Sequence, residues 1–140
     1  VKHGRLKLIP SMSLKTRIVH LKDVSAGSCV GYGCTYTTSK LSKIATIPLG
    51  YADGWSRLLS NIGQVLVRGQ QAPLVGRICM DQCMLDVSDV EDVMLEDEVV
   101  LFGKQGKTTL SVDAVAKLIG TINYEVLCMI SNRVPRLYVE

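Results

Sequence analysis

Residues 44–55 read Ile-Ala-Thr-Ile-Pro-Leu-Gly-Tyr-Ala-Asp-Gly-Trp. The first half is an uncharged apolar run, typical of a buried strand, and it ends at a glycine that precedes tyrosine, aspartate and tryptophan. A rigid element would thus present polar groups at a defined place. Nineteen positions before Tyr51 lies Tyr32, which Gly31 and Gly33 flank, so that backbone or ligand can approach its ring closely. We therefore expect Tyr32 and Tyr51 to lie where the chemistry takes place.

The length of 140 residues suits a single domain with a sizeable core. The five cysteines form an odd number without a close Cys-x-x-Cys pair, which argues against a disulfide framework and fits a reducing, cytoplasmic compartment. We expect most of them to be buried thiols. They are Cys29, Cys34, Cys79, Cys83 and Cys128.

The composition disfavours several classes of function. The sequence shows no signal peptide and no apolar stretch near the ~18 residues of a membrane helix, so we expect a soluble protein without a membrane partner. The net charge is +3 and the seven aromatic residues are not interleaved with basic ones, which argues against nucleic acid as a partner.

Motifs for metals, phosphate and hydrolysis are also missing. The acids of residues 86–98 fit no calcium loop and predict a solvated loop, and two cysteines at positions 79 and 83 do not make a zinc site. Gly106-Lys107-Thr108 lacks the first glycine of a phosphate-binding loop and predicts a hairpin turn. No hydrolase motif is present, and we expect no bound metal.

The periodicity of apolar residues predicts short strands over most of the chain. Residues 1–11 look like a linker, and from Met12 onward apolar and polar residues alternate. The phase changes at Val19, as a bulge or a change of neighbouring strand would produce, and we expect His20 there to be a structural histidine among apolar neighbours. Further strands are predicted at residues 28–37, 43–49, 64–68, 72–79, 83–87, 98–102 and 134–139.

Helical spacing begins only near the end of the chain. One helix is predicted behind the N-cap residue Ser111 and ahead of Gly120, and a second after Thr121. The predicted buried face of the second helix consists of Leu127, Cys128 and Ile130. The fold expected for residues 12–140 is mainly β, an antiparallel β-barrel-like domain with two short helices near the C-terminus.

Four short motifs follow one another along the chain. They are Gly-Tyr-Gly-Cys-Thr-Tyr at Tyr32, Gly-Tyr-Ala-Asp-Gly-Trp at Tyr51, Gly-Arg-Ile-Cys-Met-Asp-Gln at Met80 and Gly-Thr-Ile-Asn-Tyr-Glu-Val at Tyr124. In this order and at nearly this spacing they resemble the C-terminal domain of alanine racemase, over about residues 11–140. Met-Ser-Leu-Lys at residues 12–15 and Arg-Val-Pro-Arg at residues 133–136 also look like that family.

The resemblance implies a pyridoxal phosphate enzyme of two domains that interconverts L- and D-alanine as a homodimer. An N-terminal α/β barrel domain would bind most of the cofactor through a lysine, so the isolated chain is expected to be inactive. Tyr32 matches the tyrosine that serves as one of two catalytic bases and that reaches the active site of the partner subunit. An ordinary phenol, with a pKa of ~10, is a weak base at neutral pH, so cationic or hydrogen-bonded neighbours are needed.

Other positions match residues with further roles in the family. Met80 matches the residue whose backbone amide helps to hold the substrate carboxylate, and Tyr124 matches one whose hydroxyl binds the cofactor phosphate. Tyr51 matches the inner gate of the substrate channel. The positions that match slightly further out are Arg57, Arg77 and Ile122. Both arginines are equally compatible with ordinary surface or salt-bridged residues. Asp53 and Asp81 are expected to shape turns or support their neighbours rather than to react.

Two alternatives stay open. A related serine/alanine racemase would share this domain and differ mainly elsewhere. A non-catalytic β module would retain the fold for dimerisation alone, but the intact set of tyrosines argues against it. Comparing the turnover of L-alanine and L-serine by the full-length protein distinguishes the two racemases.

Overall fold

The computed structural model describes residues 9–139. Most of the predicted linker, residues 1–8, lies outside the described residues, as does Glu140. The elements are β1 (Leu14–Arg17), β2 (His20–Val24), β3 (Cys29–Val30), β4 (Tyr36–Thr37), β5 (Ser42–Ile47), β6 (Gln64–Val67), β7 (Gln70–Val75), β8 (Cys83–Asp86), β9 (Glu98–Gln105), β10 (Thr108–Leu110), α1 (Val112–Ile119) and α2 (Asn123–Met129). The prediction of a mainly antiparallel β fold with two short helices near the C-terminus is confirmed. Neither of these helices has the length and apolar character to cross a membrane.

The main sheet curls because one segment of chain supplies both of its ends. The strand order is β1-β9-β6-β7-β8-β5-β2, with β10 added to β9. Between β1 and β2 the chain changes partners. The N–H of Ile18 donates to the carbonyl oxygen of Asp97 at 3.1 Å, and the N–H of Val19 donates to that of Thr46, in β5, at 2.9 Å. The phase change at Val19 therefore marks a change of neighbouring strand. The sheet is barrel-like, although β1 and β2 are not paired with each other.

The central strands β6 and β9 are covered on both faces, which explains their nearly continuous apolar sequences. Inside the curled sheet, a single large cluster includes Trp55 and Phe102, each 1% exposed. On the other face, Leu66 and Val100 pack with Leu110 of β10. β10 reaches them through the hairpin turn that the sequence predicted at residues 106–107.

The two helices α1 and α2 are the last regular elements of the chain. The Ser111 side chain accepts a hydrogen bond from the N–H of Ala114 at 3.1 Å, and α1 ends at Gly120 in the left-handed conformation, as predicted. In α2 the prediction of the buried face is partly wrong. Ile130 is buried at its C-terminal end, but Cys128 is exposed and Val126 is the buried residue of the helix.

Two strand predictions require correction. The segment predicted as one strand at residues 28–37 is a hairpin, in which a 3₁₀ turn at Tyr32–Cys34 separates β3 from β4. The strand predicted at residues 134–139 does not form. Instead, the guanidinium of Arg136 donates to the backbone carbonyl oxygens of Ile130, Ser131 and Val134 at 2.9, 3.2 and 2.7 Å. A side chain thus satisfies carbonyl groups that no strand covers.

The expectation that the cysteines are mostly buried free thiols is wrong. Cys29 and Cys34 form a disulfide across the tip of the β3–β4 hairpin, with their Cα atoms 5.0 Å apart. Cys79 and Cys83 are buried free thiols, whereas Cys128 is exposed. Burial raises the pKa of both buried thiols, although the charge of Arg57 opposes the effect at Cys79. Both therefore remain protonated and are poor nucleophiles.

Gly54→Ala tests how tightly α2 packs on the segment that follows β5, with Gly106→Ala as the control. Gly54 has a φ of +99°, and a Cβ atom there would come within 2.1 Å of the carbonyl oxygen of Met129. Gly106 also has a positive φ, of +59°, but its Cβ position has no neighbour within 4 Å. We expect Gly106→Ala to lower the free energy of unfolding by about 1 kcal/mol and Gly54→Ala by about 2–4 kcal/mol, since the clash adds to the backbone strain. Urea unfolding measures both; equal losses would contradict the packing described.

Candidate functional site

Three segments come together around one cleft. We name them the tyrosine hairpin (residues 29–37), the Tyr51 loop (residues 50–54) and the Met80 loop (residues 79–82). Each follows or connects strands of the core, so the sheet determines where its polar side chains lie. Polar groups on loops that a rigid scaffold positions are a common arrangement in binding and catalytic sites.

The Tyr51 loop is bonded directly to the Met80 loop. The N–H of Tyr51 donates to the carbonyl oxygen of Cys79 at 3.0 Å, and the N–H of Ala52 donates to that of Met80, also at 3.0 Å. A Cβ atom on Gly50 would lie only 2.2 Å from the carbonyl oxygen of Cys79. The close approach of the two backbones therefore requires glycine at position 50.

Two further hydrogen bonds hold the Tyr51 loop, one to the Asp53 side chain inside the loop and one from Ser131, just after α2. Asp53 is only 8% exposed, and its Oδ2 accepts the N–H of Gly50 at 2.9 Å. The N–H of Ser131, just beyond α2, donates to the carbonyl oxygen of Asp53 at 3.0 Å. Trp55 follows in the core. The loop is thus held on three sides, and Tyr51 is left 44% exposed.

The tyrosine hairpin packs on the outer face of the sheet. Val30 forms a small apolar cluster with Ile44 and Val75. On β4, the hydroxyl of Tyr36 donates to Oδ2 of Asp86 at 3.1 Å. Burial and this hydrogen bond raise the pKa of Tyr36, so it remains a donor at neutral pH.

The tip of this hairpin exposes Tyr32. Asn61 holds the tip, because its Nδ2 donates to Thr35 Oγ1 at 3.2 Å while its Oδ1 accepts the N–H of Gly76 at 2.6 Å. The guanidinium of Arg77 lies against Gly33, where a Cβ atom would be 2.6 Å from its Nη1. The ring of Tyr32 is 73% exposed.

Five of the seven predicted site residues surround one cleft of about 530 Å³. They are Tyr32, Tyr51, Arg57, Arg77 and Met80. The rest of its lining consists of Ile78, Cys79, Asp81 and Gln82. The cleft is open at the surface, and Met80 is 52% exposed there.

The remaining two predicted residues, Ile122 and Tyr124, lie outside the cleft lining, at the N-terminal end of α2. They are 62% and 72% exposed. The other end of α2 is the one that contacts the Tyr51 loop, through the hydrogen bond of Ser131. The structure therefore connects Tyr124 to the cleft through α2 without bringing its side chain into it.

The charges around the cleft favour an anionic ligand. Arg57 and Arg77 both line it, and within residues 9–139 neither forms a salt bridge. The carboxylate of Asp81 also lies there, but it is paired with Arg133. Among the described residues no group of three or more potential metal ligands occurs. The chemistry available is thus that of phenol hydroxyls, guanidinium groups and backbone amides.

A second cleft, of about 500 Å³, adjoins the first behind Tyr32 and was not predicted. His20 and Lys22 of β2 line it together with Gln82. The expectation that His20 is a structural histidine among apolar neighbours is wrong, because its side chain is exposed. His20 and Lys22 are two positions apart, and in a strand this spacing puts both side chains on the same face. That spacing is the sequence signal from which the pair could have been found.

The family model described as "Alanine racemase, C-terminal domain" matches residues 11–138. Alanine racemase from Clostridium perfringens is 52% identical over 138 residues, which cover 99% of this chain and 36% of that protein. Alanine racemase from Halothermothrix orenii is 56% identical over 135 residues, which cover 96% and 36%. The chain thus spans about a third of the length of these relatives.

Solved structures give the same result. Alanine racemase from Bacillus anthracis with bound L-Ala-P superposes with a TM-score of 0.92 at 43% identity, covering 97% of this chain and 34% of that one. Alanine racemase from Clostridium difficile in complex with cycloserine superposes with a TM-score of 0.88 at 48% identity, covering 96% of this chain and 35% of that one. Alanine racemase from Bartonella henselae with covalently bound pyridoxal phosphate superposes with a TM-score of 0.85 at 34% identity, covering 91% of this chain and 34% of that one. By sequence and by fold, the chain belongs to the alanine racemase C-terminal domain family.

Proposed function

We propose that this chain is the C-terminal part of a pyridoxal-phosphate-dependent racemase that interconverts L- and D-alanine. The observation that carries the proposal is the exposed Tyr32 at the rim of a cleft that it shares with Tyr51 and Met80. An N-terminal barrel domain completes the enzyme by contributing the lysine that holds the cofactor. The chain's share of its relatives' length, about a third, leaves room for such a domain.

Racemisation requires two proton-transfer groups on opposite faces of the substrate carbon. Pyridoxal phosphate, when bound, supplies the electron sink that makes the α-proton removable. Tyr32 acts on one face and the barrel lysine on the other. Arg57 and Arg77 line the same cleft as Tyr32 and give it a positive potential.

Met80 orients the substrate through its backbone. The role needs an N–H at a defined place, and the Met80 loop is fixed by its two hydrogen bonds to the Tyr51 loop. Among residues 9–139 no acceptor engages the N–H of Met80, which is therefore available to a substrate carboxylate. The two guanidinium groups of the cleft attract the same carboxylate.

Tyr124 fits the role of a donor to the cofactor phosphate. It is 72% exposed, at the N-terminal end of α2, so its side chain is accessible to a ligand. The chain contributes this single phosphate contact, so most of the binding energy for the cofactor comes from the barrel domain. Ile122, at the N-cap of α2, forms the outer channel beside it.

The proposal includes a homodimer in which Tyr32 enters the active site of the partner subunit. The tip of the tyrosine hairpin supports this, because Tyr32 is 73% exposed while Val30 anchors the hairpin to the outer face of the sheet. Tyr51, together with Arg57 and Arg77, narrows the approach to the site and favours small substrates. Alanine suits such a channel better than larger amino acids.

Racemase assays of the full-length protein and of the isolated chain test the proposal. With pyridoxal phosphate added, the full-length protein is expected to racemise L-alanine faster than L-serine, and its absorbance spectrum should show the bound cofactor. The isolated chain should show neither, since its own lysines are not part of a barrel. Faster turnover of L-serine would favour the related serine racemase, and a full-length protein without racemase activity would contradict the proposal.

Tyr32→Phe in the full-length enzyme tests the role of the phenol. Losing one of the two bases should lower the rate by about 10²-fold or more. Since enantiomers have equal free energies, kcat/KM must fall equally in both directions. The loss of Tyr32 should nevertheless slow proton removal from one enantiomer more than from the other. The primary isotope effect of α-deuterated alanine should therefore rise much more for that enantiomer.

Tyr36→Phe is the matched control, because it removes the same hydroxyl from the same hairpin. Tyr36 bonds to Asp86 and does not line the cleft of Tyr32. We expect its racemase rate to stay within about threefold of the unaltered enzyme, as is usual for changes away from reacting groups. Similar small effects of both substitutions would count against Tyr32 as a base.

A further inference from the structure

Three charged side chains from separate segments meet behind the cleft. Arg133 follows α2, Asp53 belongs to the Tyr51 loop and Asp81 belongs to the Met80 loop. Nε of Arg133 lies 3.3 Å from Oδ1 of Asp53, and its Nη2 donates to Oδ1 of Asp81. A single guanidinium therefore joins the two loops that carry Tyr51 and Met80.

Of the three side chains only that of Asp53 is buried, whereas those of Arg133 and Asp81 are 51% and 58% exposed. Asp53 is 8% exposed, and its second oxygen is already bonded to the N–H of Gly50. A carboxylate so buried needs a cation beside it. The hydrogen bond to Asp81 raises the pKa of Arg133, so the guanidinium that faces the two acids stays charged. A planar guanidinium presents two nitrogens at a fixed separation, which an ammonium group does not.

The backbone around Arg133 is held in place independently of its side chain. Its own N–H donates to Ser131 Oγ at 3.3 Å, and the N–H of Ser131 donates to the carbonyl oxygen of Asp53 at 3.0 Å. Further along, Arg136 binds three backbone carbonyl oxygens of the same segment. The guanidinium of Arg133 thus projects from a fixed support toward two loops.

We propose that Arg133 is a positioning residue, which reinforces the two backbone hydrogen bonds between the Met80 loop and the Tyr51 loop and thereby maintains the distance between the substrate-binding amide and the channel gate. The inference rests on the proposed function, because it assigns to Met80 the contact with the substrate carboxylate. Arg133 itself lies outside the lining of the cleft and acts through the two aspartates.

The test compares Arg133→Ala with Arg136→Ala in the full-length enzyme. Arg136 supports the same segment but contacts neither loop, which makes it the control for a general loss of stability. Arg133→Ala should raise the KM for alanine about tenfold while kcat changes less, because substrate binding loses its alignment. Arg136→Ala should change KM far less, because the hydrogen bonds of Ser131 still hold the backbone of Arg133. Arg133→Lys should recover less than half of the effect, since one nitrogen cannot bridge both acids.

A second measurement does not depend on activity. Cys79 lies in the Met80 loop and is 9% exposed, while Cys83 in β8 is 1% exposed. Alkylation with iodoacetamide, followed by peptide mass spectrometry, should become several-fold faster at Cys79 in Arg133→Ala but not at Cys83, nor at either cysteine in Arg136→Ala.

The outcomes separate the two proposals. If Arg133→Ala leaves both the KM and the alkylation rate of Cys79 unchanged, the positioning role is wrong. If Arg133→Ala does not fold, the same two measurements on Arg133→Lys decide in its place. A full-length protein without racemase activity would overturn the proposed function, whereas faster alkylation of Cys79 in Arg133→Ala would still support the coupling of the two loops.

Discussion

The backbone contact between the Tyr51 loop and the Met80 loop is the constraint on which the rest of the site depends. Two N–H groups of one loop bond to two consecutive carbonyl groups of the other, at a distance that excludes any side chain on Gly50. One loop follows β5 and the other precedes β8, and these strands pair directly in the sheet. The contact therefore joins two loops that already leave the sheet side by side, and it places Tyr51 beside Met80 with little freedom.

The remaining parts of the domain bring other groups to this contact. The tyrosine hairpin lies over the outer face of β5 and carries Tyr32 to the rim of the cleft. The segment after α2 bonds to the Tyr51 loop from the other side and contributes Arg133. The cleft has several donors and cations but no base–nucleophile pair of its own. This set of groups is the basis of the proposal that the domain completes an active site together with a barrel domain.

The sequence predicted the elements that local signals determine. Alternation located most strands, and the cap at Ser111 and the left-handed Gly120 located α1. The strand predicted at residues 134–139 failed because alternation cannot show whether a partner strand exists. The disulfide was missed because cysteine parity says nothing about a turn that brings Cys29 and Cys34 together. Likewise, only the fold brings Asp53, Asp81 and Arg133 into contact. Tyr32 and Tyr51 stood out by their glycine-rich settings, the other predicted site residues came from the family resemblance, and the structure brings five of the seven around one cleft.

We propose that Tyr32 works across the subunit boundary, and mixed dimers test this proposal most directly. One full-length protomer carries Tyr32→Phe, the other carries alanine in place of the cofactor lysine of the barrel domain, and differently tagged dimers are purified. If Tyr32 acts in the partner subunit, each mixed dimer contains one active site with both bases, and racemase activity should return although neither parent is active. Purified mixed dimers as inactive as their parents would contradict the account.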